Sequence, residues 1–141
     1  MTDRHGLQRF IDAQAGIYGQ ALAELEAGAK QSHWMWFVFP QIAGLGRSAT
    51  ARHYAIASRD EASAYFAHPL LGSRLVECTR AVLRHPQTPA ERIFGAVDAM
   101  KLHSSMTLFD AVAGAPEPCF AEALATFYGG ERDERTLELL G

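Results

Sequence analysis

Lys30-Gln31-Ser32-His33-Trp34-Met35-Trp36-Phe37-Val38-Phe39-Pro40-Gln41 is the stretch on which the fold turns. It holds both tryptophans of the chain and two of its eight phenylalanines, beside a Lys, a His and a Gln. On propensity alone Trp34–Phe39 would suit a short strand. No partner strand is in sight, because no stretch alternates with period two between hairpin turn signals. The surroundings repeat at three and four residues instead. Leu7, Phe10, Ile11, Ala15, Tyr18, Leu22 and Leu25 predict one amphipathic helix ending near Gly28. The fold class expected is all-α, a single compact multi-helix domain.

Local stop and start signals divide the rest. Ser58-Arg59-Asp60-Glu61 is a capping-box pattern, predicting a helix from Arg59 to about Ala67, with Glu61 reaching back to a free amide. His68-Pro69 stops it, and Leu70–Leu83 reads as the next helix. Thr88-Pro89-Ala90-Glu91 is a second capping box with proline at the first helical position. Val97, Met100, Leu108, Ala111 and Val112 outline a helix over about 96–112. Phe120, Leu124, Phe127 and Tyr128 form a face that Gly129-Gly130 ends, and Asp133 caps a last helix, Glu134–Leu140.

Composition narrows the class of protein. A chain of 141 residues suits one domain, 1–141, and at that size roughly 70% of the unfolded surface can be buried. Apolar residues at 48% and charged ones at 21% exclude a disordered chain. A net charge of −3 with interspersed signs lacks the basic stripe of a general nucleic-acid binder. The longest apolar run, Trp34 to Phe39, is six residues, against the ~20 needed to span a bilayer. Met1 to Gly6 opens no apolar signal core. Cys78 and Cys119 lack any C-x-x-C spacing and read as two buried thiols. A soluble cytoplasmic protein, with no membrane association, is the expectation.

The block from Lys30 to Gln41 resembles a bacterial and fungal family known as domain of unknown function 1810. Gly44-Leu45-Gly46, Ser48, Tyr54, Glu61-Ala62 and His68-Pro69-Leu70-Leu71-Gly72-Ser73-Arg74-Leu75 continue the likeness in order. Phe94-Gly95, Asp98, Lys101-Leu102, Ser104 to Phe109, Gly130, Asp133 and Thr136-Leu137 complete it, so that it spans about residues 7–140. It implies a mainly α-helical single domain without an established activity. His103 departs mildly from the family's pattern, where Arg or another polar residue is expected. Some members carry the label calpastatin. Composition opposes that label, since such inhibitors are long, polar and disordered whereas this chain has core-forming content and capped helices.

Two segments carry candidate chemistry. In the aromatic block, Trp34 and Trp36 offer planes for stacking, Lys30 and His33 offer positive charge, and Gln41 offers orientation. The alternative is a core plug, and the sequence leaves both open. In Asp98-Ala99-Met100-Lys101-Leu102-His103-Ser104-Ser105, helical spacing puts Asp98, Lys101 and Ser105 on one face, with Ser104 three beyond Lys101. A lysine among hydroxyls suits a phosphate or carboxylate. The plain alternative is an exposed Asp98–Lys101 pair worth ~0.3 kcal/mol. A Ser–Lys nucleophile pair is also spaced for, without a G-x-S-x-G elbow to support it.

The ligand-binding candidates are therefore Lys30, His33, Trp34, Trp36, Gln41, Asp98, Lys101, Ser104 and Ser105, and the catalytic candidates His33, Lys101 and Ser105. His33 is the natural proton carrier near neutral pH. The partner expected is a small anionic metabolite, nucleotide-like or phosphorylated, provided the two segments meet. The rival is a noncatalytic protein–protein module using the aromatic block, so a protein partner stays open. The six histidines are scattered without H-x-x-x-H or H-E-x-x-H spacing, so neither a metal nor another cofactor is expected. Gly44-Leu45-Gly46 with Arg47-Ser48 is no dinucleotide or P-loop motif.

Overall fold

The computed structural model describes residues 3–141, so the N-terminal reading falls partly on Met1 and Thr2, outside the described residues. Among the described residues ten helices follow one another: α1 Gln8–Gln14, α2 Tyr18–Ala27, α3 Met35–Val38, α4 Ala49–His53, α5 Arg59–Ala67, α6 Pro69–Leu83, α7 Ala90–Phe94, α8 Ala96–Ala113, α9 Cys119–Tyr128 and α10 Glu134–Leu140. The protein is all-α, and the only pairing of extended backbone among the described residues is an isolated parallel bridge between Ile42 and Ile56. The Trp34–Phe39 stretch forms one helical turn, α3, rather than a strand.

The predicted first helix is two. Gly16 takes φ +77° between α1 and α2, which an L side chain seldom adopts, so the hydrophobic period continues in sequence while the axis breaks. Ser58 accepts from the Glu61 amide at 3.1 Å, as a cap should. The Glu61 carboxylate instead takes the Ala57 amide at 3.3 Å and Arg9 at 2.7 Å. His68 both stops α5 and starts α6, its Nδ1 accepting from the Leu70 and Leu71 amides at 3.1 and 3.2 Å. The second capping box does not form. Pro89 itself occupies the N-cap of α7 with no side-chain bond, which leaves Thr88 one place outside. Asp133 caps α10 as predicted, accepting from the Thr136 amide.

The core gathers around α8, which packs against α5, α7, α9 and α10. From Ser104 to Phe109 every residue of α8 is buried, the signature of a helix enclosed on all sides. Its N-terminal turns are different. Val97 and Met100, expected on the apolar face, are 66% and 72% exposed because no described helix covers that side. α5 and α6 meet tightly at Gly72, where a Cβ would come within 2.0 Å of the Phe66 carbonyl oxygen. The Ile42–Ile56 bridge is held by Ala43 N–H to Ile56 O and Ile56 N–H to Gln41 O, both 2.8 Å. That pairing fixes the backbone of Gln41 beside the uncovered turns of α8. No described helix is long and apolar enough to cross a membrane. Cys78 and Cys119 are both buried and free, and burial pushes each thiol up to about 12, far from thiolate reactivity.

Candidate functional site

The two candidate segments meet at Asp98. Its Oδ2 lies 2.8 Å from Lys30 Nζ and its Oδ1 lies 3.4 Å from Lys101 Nζ. Each ammonium also rests on a tryptophan: Lys30 at 4.9 Å from the Trp34 ring centroid, Lys101 at 4.3 Å from that of Trp36. Such contacts contribute most where water is excluded. The order Trp34, Lys30, Asp98, Lys101, Trp36 therefore joins the loop before α3 to the first turns of α8. One carboxylate serves two cations, tightly for one and loosely for the other.

The members differ sharply in reach. Trp34 is 0% exposed and tilts against Phe39 at 6.3 Å, so it is core and offers no face to a ligand. Lys30 keeps only 7% of its side chain exposed, and its ammonium also donates to the Ser32 carbonyl. His33 is exposed and has no hydrogen-bond partner among the described residues, so the proton-carrier role is not built around it. Ser105 is 0% exposed and its Oγ is the one buried side-chain polar atom without a partner among the described residues. The nucleophile pair is not assembled either: the Ser104 hydroxyl is within hydrogen-bond distance of Asp133 Oδ2 (3.0 Å) and the Met100 carbonyl (3.3 Å), not of Lys101. A buried hydroxyl with no acceptor predicts that Ser105→Ala is neutral or stabilising, by up to ~1 kcal/mol in a urea melt.

Some of the candidates border a groove of about 390 Å³ beside α8. Gln41, Lys101 and Ser104 line it among the residues singled out from sequence, with partly exposed Trp36 just beyond under the Lys101 ammonium. His103, Asp133, Arg135, Leu45, Val97 and Met100 complete most of its wall. His103 stacks on Tyr128 at 4.3 Å and 12°, and its Nε2 donates to the Glu131 carbonyl at 2.7 Å. Asp133 is more than the cap of α10. It also closes the groove, with its backbone N–H donating to Thr107 Oγ1 at 2.9 Å. Among the described residues no three His, Cys, Asp or Glu side chains cluster as metal ligands.

Glu24 holds the loop before α3, and no sequence pattern marked it. It accepts from the Gln31 and Ser32 amides at 2.8 and 3.0 Å, the Ser32 hydroxyl at 2.6 Å and Trp34 Nε1 at 3.0 Å. Partial burial pushes its carboxyl up, but the Ser32 hydroxyl, the two amides and the indole outweigh it and hold the group at about 2, below the ordinary 4.5. A carboxyl lowered in the folded state stabilises fully above its unfolded value, and that contribution disappears as pH falls from about 4.5 through 2. Glu24→Gln should lower the melting temperature at neutral pH and flatten the stability curve across that acid window, as followed by circular dichroism.

Fold and site together define a small all-α protein with a cation-bearing surface groove at the start of its central helix. The chain belongs to DUF1810, a protein family of unknown function, whose model matches residues 4–140. It is similar to the conserved hypothetical protein Rv1873 from Mycobacterium tuberculosis, whose crystal structure superposes with a TM-score of 0.94 at 51% identity, covering 98% of each chain. No curated protein matches the chain.

Proposed function

We propose that the groove beside α8 binds a small anionic ligand, nucleotide-like or phosphorylated, in a soluble cytoplasmic protein. The observation that carries this reading is the unequal sharing of Asp98. Lys30 takes the carboxylate at 2.8 Å, while Lys101, 3.4 Å away, keeps ammonium donors free at the groove wall. Arg135 adds a second cation and Gln41 a carboxamide that no described side chain or backbone group engages. The indole of Trp36 under Lys101 keeps that ammonium partly desolvated, which strengthens its pull on an anion. The ligand is held by Lys101 and Arg135 rather than by Lys30 and Trp34, which support the site from behind.

A protein–protein module built on the aromatic block finds less support. Trp34, Met35 and Phe39 are consumed by the core, and hot-spot aromatics have to be reachable. The test is a thermal-shift panel of nucleotides and phosphorylated metabolites against wild type and Lys101→Ala. A ligand at 100 times its dissociation constant adds ~2.7 kcal/mol. The shift should vanish in Lys101→Ala, a variant that stays folded because Asp98 still neutralises Lys30. A shift of equal size in both proteins would place binding elsewhere, and no shift with any anion would overturn the reading.

A further inference from the structure

We infer that the groove recognises a vicinal diol beside the anion, so that its ligand is a sugar phosphate or ribonucleotide rather than a bare phosphate or carboxylate. This rests on the anion reading of the same groove. The evidence is Asp133, a carboxylate placed where an anion site gains nothing from one. Its Oδ2 is fully engaged, by the Ser104 hydroxyl at 3.0 Å, the Thr136 amide at 3.3 Å and the Thr136 hydroxyl at 2.5 Å. Its backbone is pinned to Thr107. Its Oδ1 receives no hydrogen bond among the described residues, although the residue lines the groove. Three bonds to Oδ2 thus fix the side chain at the groove wall with its second carboxylate oxygen left without a protein donor among the described residues.

Such an acceptor needs a donor from the ligand. A cationic donor is disfavoured, because Lys101 and Arg135 line the same wall. A neutral O–H meets no such repulsion, and a carboxylate taking ribose hydroxyls is a recurring solution in nucleotide sites. Spacing agrees. Ser104 follows Lys101 by one helical turn, roughly 5–6 Å between Cβ atoms, and its hydroxyl touches Asp133 at 3.0 Å. The cation and the free carboxylate oxygen therefore flank a gap that a pentose fills, with its phosphate at Lys101 and its diol at Asp133. The exposed Val97 and Met100 side chains on the same helix give an apolar bed for a base attached to that sugar.

The experiment is calorimetric titration of the full chain with AMP, 2′,3′-dideoxy-AMP, ribose 5-phosphate and inorganic phosphate, on wild type and Asp133→Asn. Asparagine caps a helix as well as aspartate does, so the variant keeps α10 with its one oxygen on the Thr136 amide, while an NH2 donor replaces the free acceptor at the Oδ1 position. Wild type should bind AMP roughly tenfold or more tightly than its dideoxy analogue, the strength of a hydrogen bond to a charged group. In Asp133→Asn that preference should shrink to within a few fold while phosphate affinity holds or rises. Equal affinity for AMP and its dideoxy analogue, or binding of phosphate without either sugar phosphate, would overturn the diol and leave the anion site standing. Failure of all four to bind would overturn both.

Discussion

Trp34→Ala should lower the unfolding free energy by ~3–5 kcal/mol, the range for emptying a buried aromatic site. Two losses combine. The indole is fully enclosed against Phe39, which in turn meets Phe94 at 6.1 Å, so a cavity opens between the loop before α3 and α7. Glu24 also loses the Nε1 donor, and Lys30 loses the ring beneath its ammonium. Trp34→Phe separates the two. It refills most of the volume but restores no donor, so it should recover over half the loss while leaving Glu24 one hydrogen bond short. Urea denaturation of the three proteins measures this. Trp36→Ala is the contrast: partly exposed, it should cost far less stability while weakening anion binding at Lys101. A Trp34→Ala protein as stable as wild type would refute the assignment of this residue to the core.

Trp34 and Trp36 show where sequence reading stops. They are two residues apart in an aromatic run of a single turn, too short for either period to tell which side faces inward. Only the tertiary neighbours decide: Glu24 draws one indole inward, while Lys101 covers the other. The helices were legible because their signals are local. Ser58, His68 and Asp133 act on amides two or three residues away, and each boundary falls where the cap puts it. The long first helix failed because hydrophobic spacing passes unbroken through Gly16, although the backbone does not.

The meeting of the two candidate segments was a condition the sequence could state but not test. Asp98 and Lys101 are a turn apart and pair as spacing suggests, whereas Lys30 arrives from a distant loop. Asp133 was visible only in its local role as a cap. Its second role depends on Ser104, 29 residues earlier, and on α10 folding back across α8. Ser105 shows the opposite error. Two serines inside a helix drew attention as candidates, but one faces the groove and the other is sealed in the core.

Arg9→Ala should be the other severely destabilising change, by ~3–5 kcal/mol, because it leaves the buried Glu61 carboxylate without its cation. All five N–H donors of this guanidinium are used: Nε on the His53 carbonyl, Nη1 on those of His5 and Gly6, Nη2 on the Ala55 carbonyl and on Glu61 Oε2 at 2.7 Å. The guanidinium also lies 4.3 Å over the Phe10 ring. One side chain on α1 thereby ties the N-terminal turn, the segment leading to the Ile42–Ile56 bridge and the first turn of α5. Deleting it strands Glu61, only 4% exposed, with a single amide for its charge. The charge makes a directional prediction. Arg9→Ala combined with Glu61→Leu should be more stable than Arg9→Ala alone, since the second change removes the uncompensated carboxylate. Arg9→Lys should fall between wild type and Arg9→Ala, because an ammonium brings charge but three donors to a fork built for five. Additive losses in the double variant would mean that the pair carries no coupling and that packing of the Arg9 stem explains the cost. Because the bridge sets Gln41, loosening this tie should also weaken ligand response in the groove, at the opposite edge of the same loop.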